Sequence, residues 1–177
     1  MALKPTIYKL KIALSDLDRE YYDNLNLTIA QHPSETLERM MVRALAYCCN
    51  AGPRLEFCKG LSDNDEPDLW EHTLDGRIAL WIEVGEPSME RIKKACTLAN
   101  QVRVYCFNTK AGTWWDQNQE RLAMLGAGIY RLRWDRVQAL ANQVQRTMDM
   151  SVTISGDSLF VAMERGEVEV PLETLLD

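Results

Sequence analysis

The chain has 177 residues, of which 46% are hydrophobic and 26% charged, and its net charge is −6. This balance excludes a disordered, collagen-like or low-complexity protein and predicts one domain over residues 1–177 with a sizeable core. The charge is uneven: residues 91–150 hold 10 basic and 4 acidic side chains, so a localised basic patch is compatible with the acidic total.

No stretch approaches the ~18 apolar residues of a membrane-spanning helix, and no membrane partner is expected. Met1 to Pro5 has neither the apolar run nor the small-residue cleavage site of a signal peptide. The five cysteines include no C-x-x-C pair, which argues against a disulfide framework or a Cys-rich zinc site and for a reducing, cytoplasmic location.

Alternating apolar residues predict a long β-hairpin, residues 5–14 and 20–30, around the turn chemistry of Ser15 to Asp18. The spacing of Leu37, Met40, Met41, Ala44, Leu45 and Cys48 predicts a helix over 34–49, with Ser34 as N-cap and Gly52-Pro53 beyond its end. A short strand over 54–60 and an acidic loop over 61–68 come next. Two strands, 69–74 and 77–84, are joined through Asp75-Gly76. The second, Ile78 to Ile82, is apolar throughout, as for a central strand covered on both faces.

A helix over 88–100 begins at Ser88 and leads into the apolar strand Val102–Phe107. A helix over 113–124, a strand over 129–133 and a helix over 135–148 follow. The chain finishes with short strands over 150–155 and 158–163 and an acidic tail. Strands alternating with helices in the middle predict an α/β fold with a mostly parallel central sheet and helices on its faces.

Nucleotide-binding glycine loops, the G-x-S-x-G elbow and H-E-x-x-H are all absent. The two histidines, His32 and His72, read as a turn residue and a cross-strand partner, so a Ser-His-Asp hydrolase is disfavoured. Trp114-Trp115 suit either base stacking or the core. Arg131, Arg133 and Arg136 suit either phosphate contacts or a salt-bridged sheet face.

The informative stretch is Leu61 to Glu86, with eight carboxylates against a single arginine, Arg77. Glu83 ends a strand expected to be buried, where a carboxylate is costly unless paired, neutralised or bound to a cation. Asp68 opens the neighbouring strand and converges with Glu83 if the two are antiparallel. Two hard carboxylates with water suit Mg²⁺ or Mn²⁺. On these residues alone a metal or phosphate site and a structural charge network stand about even.

The pattern Glu66-Pro67-Asp68, a fifteen-residue gap and Glu83 at a strand end resembles the PD-(D/E)XK nuclease superfamily. More specifically, His32-Pro33-Ser34-Glu35-Thr36, Asp65 to Trp70, Trp81 to Pro87 and Lys94-Ala95-Cys96 resemble the YaeQ family, over essentially the whole chain. The resemblance implies a restriction-endonuclease-like core: a helix, a three-stranded antiparallel curl, a second helix and a parallel strand. A mixed central sheet is flanked by helices, here preceded by the hairpin.

It also implies Asp68 and Glu83 as metal-binding carboxylates, Glu38 as a further acidic contribution from the first helix, and Mg²⁺ or Mn²⁺ as the cofactor. The lysine expected two residues after the strand acid is Gly85 here. A lysine moved to the following helix is Lys94 or Lys93, with the Lys94-Ala95 pattern favouring Lys94. Glycine at 85 would leave space for such a side chain to enter. The expected activity is metal-dependent hydrolysis of phosphodiester bonds in DNA or RNA, with nucleic acid as partner. The alternative is a non-catalytic binding or regulatory protein that retains the fold.

Overall fold

The computed structural model describes residues 3–59, 61 and 63–177. Gly60 and Ser62, at the end of the expected third strand and within the acidic loop, lie outside the described residues. Strands β1 (Thr6–Asp16) and β2 (Tyr21–Gln31) form the hairpin that their alternation requires. Leu10 faces Leu27 and Ile12 faces Leu25, all four buried.

Helix α1 (Leu37–Asn50) starts two residues later than a Ser34 cap predicts, because Thr36 and not Ser34 is the cap. Thr36 Oγ1 accepts from the Arg39 N–H at 3.2 Å, whereas Ser34 sits in the preceding turn with its N–H on His32 Nδ1. Glu35 is therefore left just outside the helix.

Strands β3 (Leu55–Phe57), β4 (Leu69–His72) and β5 (Ile78–Val84) are antiparallel neighbours. Helix α2 (Met89–Leu98), capped by Ser88 as its sequence predicts, carries the chain to β6 (Ala99–Cys106), parallel to β5. Then follow α3 (Ala111–Leu125), β7 (Gly128–Leu132), α4 (Trp134–Ala141), β8 (Thr147–Ser155), β9 (Ser158–Met163) and β10 (Gly166–Leu176).

Two expectations are corrected here. Helix α4 ends at Ala141, and Val144 and Met148 belong to the turn and strand beyond it. The acidic tail is an eleven-residue strand, β10, in which Val168 and Val170 point inward between Glu167 and Glu169.

All ten strands share one sheet in the order β2-β1-β8-β9-β10-β7-β6-β5-β4-β3. Only β1–β8, β5–β6 and β6–β7 are parallel among its nine pairings, so the sheet is mixed and not mostly parallel. The antiparallel majority comes from the hairpins β1–β2, β8–β9 and β9–β10 together with β3–β4, β4–β5 and β7–β10.

Strand β5 is interior and covered on both faces. Leu80, Ile82 and Val84 join the larger core beneath α1 and α4, and Trp81 joins the smaller one beneath α2 and α3. Helix α1 packs on both β2 and β5, so the sheet curls around it and the end strands β2 and β3 line one common cavity. No helix among the described residues is long and apolar enough to cross a membrane. The five cysteines are free thiols, and burial pushes Cys49 and Cys106 up to about 12, as expected of thiols used for packing.

Candidate functional site

The carboxyl end of β5 places Glu83 beside Asp68. The register pairs Leu69 with Ile82, so the next step along the ladder sets Asp68 against Glu83. Both are buried, at 2% and 3% exposure. Asp68 Oδ2 accepts the Val84 N–H at 2.8 Å, which ties the carboxylate to the strand end. Glu83 Oε1 accepts the Trp81 indole N–H at 2.8 Å. Burial first, and the neighbouring Asp68 charge second, raise Glu83 from the usual carboxylate range to about 7.

Guanidinium groups close this cleft. From α1, Arg39 donates to Asp68 Oδ1 at 2.8 Å, to Glu35 Oε2 at 2.7 Å and to the Val84 carbonyl at 3.2 Å. Arg43, one turn further, grips Glu35 through Nε and Nη2 at 2.9 and 2.6 Å. Arg39 and Arg43, four residues apart on α1, share one face, and Glu35, just before the helix, meets both to form one charged stripe. From α2, Arg91 donates to Glu83 Oε1 at 2.7 Å, and to the carbonyls of Asn64 and Glu66, each at 2.7 Å. Arg91 thus clasps the acidic loop to the strand end. The four charged residues Glu35, Arg43, Asp68 and Glu83 are all buried, and each is paired.

The residues singled out from sequence divide accordingly. Asp68 and Glu83 meet. Glu38 is half-buried on α1, a helical step away from the Glu35–Arg39–Arg43 stripe, and bonds none of these side chains. The acid linked to Asp68 is Glu35, which lies just before α1 and acts through Arg39. Lys94 reaches Asp65 at 2.9 Å on an exposed surface, and its hydrogen bond holds the Asp65 carboxyl below the usual range. Lys93 is exposed. Arg91 occupies the place beside Glu83 expected of one of these lysines. Three residues along a helix are about 4.5 Å of rise, and that step puts Lys94 beyond the cleft.

Gly85 also has a different explanation. Its φ is +107°, and a Cβ there would meet nothing within 4 Å. Backbone conformation selects the glycine at the turn from β5, and no entering side chain fills the space. Gly85→Ala should therefore cost about 1–2 kcal/mol in urea unfolding through backbone strain alone; a cost near zero would refute this.

Elsewhere, Trp114 donates to the Pro87 carbonyl at 3.0 Å and, with Trp115, packs on the smaller core. Arg131 pairs with Glu173, and Arg133 with Asp135.

Among the described residues, no three His, Cys, Asp or Glu side chains are grouped to hold a metal ion. Asp68 and Glu83 form a pair, and one or two carboxylates plus water and substrate phosphate are the usual protein contribution to a Mg²⁺ site. The pair fits such an ion in number, oxygen chemistry and shared negative charge, with Arg39 and Arg91 as present counter-ions.

Comparison with known proteins gives one family. The model of the YaeQ protein family matches residues 1–172. Similar proteins include the uncharacterized protein YaeQ of Salmonella typhi, 41% identical over 174 residues, covering 97% of this chain and 96% of that one. That of Escherichia coli K12 is 40% identical over the same shares. Two crystal structures of YaeQ proteins are similar in fold. The one from Xanthomonas axonopodis pv. citri has a TM-score of 0.93 at 36% identity, covering 97% of this chain and 98% of that one. The one from Pseudomonas syringae has a TM-score of 0.93 at 37% identity, covering 98% and 97%.

Proposed function

The chain belongs to the YaeQ family, and from its Asp68–Glu83 pair we propose a PD-(D/E)XK nuclease-like protein that hydrolyses phosphodiester bonds of DNA or RNA. The succession α1, antiparallel β3-β4-β5, α2 and parallel β6 supports that core. The observation that carries the reading is two buried, adjacent carboxylates at the end of a central strand. Each has a guanidinium in contact, and Glu83 is raised to about 7. Strongly shifted carboxylates in charged clusters recur at functional sites.

Asp68 and Glu83 would hold Mg²⁺ or Mn²⁺, which supplies Lewis-acid polarisation of a phosphate and acidifies bound water. Arg91, whose forked guanidinium suits phosphate oxygens, provides the fixed positive charge that sequence assigns to Lys94 or Lys93. Arg39 holds Asp68 in place and offers a second fork toward the same cleft. Lys94, on Asp65, lies at the loop rim, where it adds positive potential.

The second reading, a nucleic-acid- or protein-binding regulator that retains the fold, is favoured by one observation. Glu35, Asp68 and Glu83 are offset by Arg39, Arg43 and Arg91, a balanced network complete in itself. A panel of single- and double-stranded DNA and RNA, incubated with Mg²⁺ or Mn²⁺, separates the two. Hydrolysis that disappears in both Asp68→Asn and Glu83→Gln is expected. An inert wild-type protein, or cleavage that survives both substitutions, sinks the nuclease reading.

A further inference from the structure

The free edges of β2 and β3 face a cavity of ≈ 520 Å³, which none of the roles above uses. It falls in the size range of small-ligand sites. Ala30 of β2, Glu56 of β3, Lys59, Glu66 and Trp70 of β4 line it, with the buried Arg43 behind. Resting on the reading that Asp68 and Glu83 mark the reacting centre, we propose that this cavity is a nucleobase pocket for single-stranded nucleic acid. The base lies against Trp70, and its amino edge is read by Glu56.

Three placements carry this. Trp70 of β4 follows Asp68, which sits in the bend just before the strand, by two residues, so their Cα atoms are at most about 7 Å apart. A phosphate at Asp68 therefore leaves its neighbouring nucleoside within reach of the indole. Glu56 is the register partner of Trp70, and side chains so paired stand about 4.5–5.5 Å apart at Cβ. A carboxylate beside an aromatic ring offers acceptors to a base that touches the ring. Glu66 ties the cavity to the site. Its carboxylate accepts the Lys59 N–H at 3.1 Å, while its carbonyl accepts from Arg91, the residue holding Glu83. Lys59, exposed at the rim, adds positive charge for the backbone.

The chemistry selects the class of ligand. A duplex buries its base faces in its own stack, so only an unpaired base can meet Trp70. A carboxylate reads cytosine through its exocyclic amine, whereas thymine presents no amine. A cytosine strand should therefore bind more tightly than a thymine strand.

The test measures fluorescence anisotropy of labelled decamers in EDTA, where no hydrolysis occurs. Oligodeoxycytidine should bind at least about tenfold more tightly than oligothymidine. Trp70→Ala should weaken both by about tenfold or more, with Trp70→Phe retaining most of the affinity. Glu56→Gln should abolish the preference for cytosine and leave thymine binding unchanged. A decamer with abasic sites, which needs no altered protein, should bind as weakly as the Trp70→Ala complex.

Equal affinity for all three decamers, or no binding at all, overturns the pocket. So does a Trp70→Ala protein that folds and binds like the wild type. Base-dependent binding without cleavage in the metal panel removes the nuclease reading and keeps the pocket. Cleavage with base-blind binding does the reverse.

Discussion

Replacing Glu35 with alanine should lower the free energy of unfolding by roughly 3–5 kcal/mol, the usual cost of stripping one partner from a buried ion pair. The substitution leaves Arg43, whose side chain is 5% exposed, without its carboxylate, and takes from Arg39 one of its two anionic partners. Urea denaturation with an unchanged m-value is the measurement. Arg43→Ala should cost less, because Glu35 then keeps Arg39 as its partner at 2.7 Å. The double replacement Glu35→Leu, Arg43→Met should recover most of the loss, since a well-packed apolar pair substitutes for a buried ion pair at little net cost. A Glu35→Ala protein within about 1 kcal/mol of wild type would show that the stripe is solvated and that the curled sheet does not depend on it.

Arg91→Ala should reduce the proposed phosphodiester hydrolysis by roughly 10²–10³-fold, the scale for removing one preorganised charge from a site. Lys93→Ala and Lys94→Ala should change the rate by less than about threefold, since Lys93 is exposed and Lys94 holds only an exposed pair with Asp65. Arg91→Lys should restore part of the rate, since it keeps the charge but loses the fork that reaches Glu83, Asn64 and Glu66 together. The altered protein should also be nicked faster by protease between residues 61 and 66, because Arg91 is the clasp on that loop. The reverse pattern, an inert Lys94→Ala protein and an active Arg91→Ala protein, would return the basic role to the lysine and leave Arg91 a structural clasp.

Much of this site is written in local pattern. Asp68 and Glu83 were legible because an apolar run that ends in a carboxylate next to a D-G hairpin leaves few places for the charge to go. Arg91 was not, although it stands on the first turn of a helix whose cap, Ser88, is evident. The Lys-Ala pattern drew the choice to Lys94, and only the loop's return over the strand end shows which cation reaches Glu83. Glu35 escaped for a similar reason. Reading Ser34 as the cap buries Glu35 in a first helical turn, whereas the Thr36 cap frees it to meet Arg39 and Arg43 at one face. The placement of Trp70 beside Glu56 rests on strand register, which no single strand carries. In the fold, β10 was missed for its charge. Glu167, Glu169 and Glu173 read as a tail, yet Val168, Val170 and Leu172 between them keep the period of two that marks a strand.

That strand has a consequence for how the protein comes into being. It is the last of the ten in sequence, yet it stands between β9 and β7, where it alone joins the half of the sheet that holds the hairpin to the half that holds Asp68 and Glu83. During synthesis on the ribosome, neither half can be welded to the other until residues 166–176 have left the exit tunnel. Until then, β7 and β9 each wait with an open edge, exposed to chance pairing with other nascent chains. Joining distant segments this late also implies slow closure. A stop codon near residue 165, which removes β10, should therefore sharply reduce soluble yield. Strands β7 and β9 would then keep their open edges.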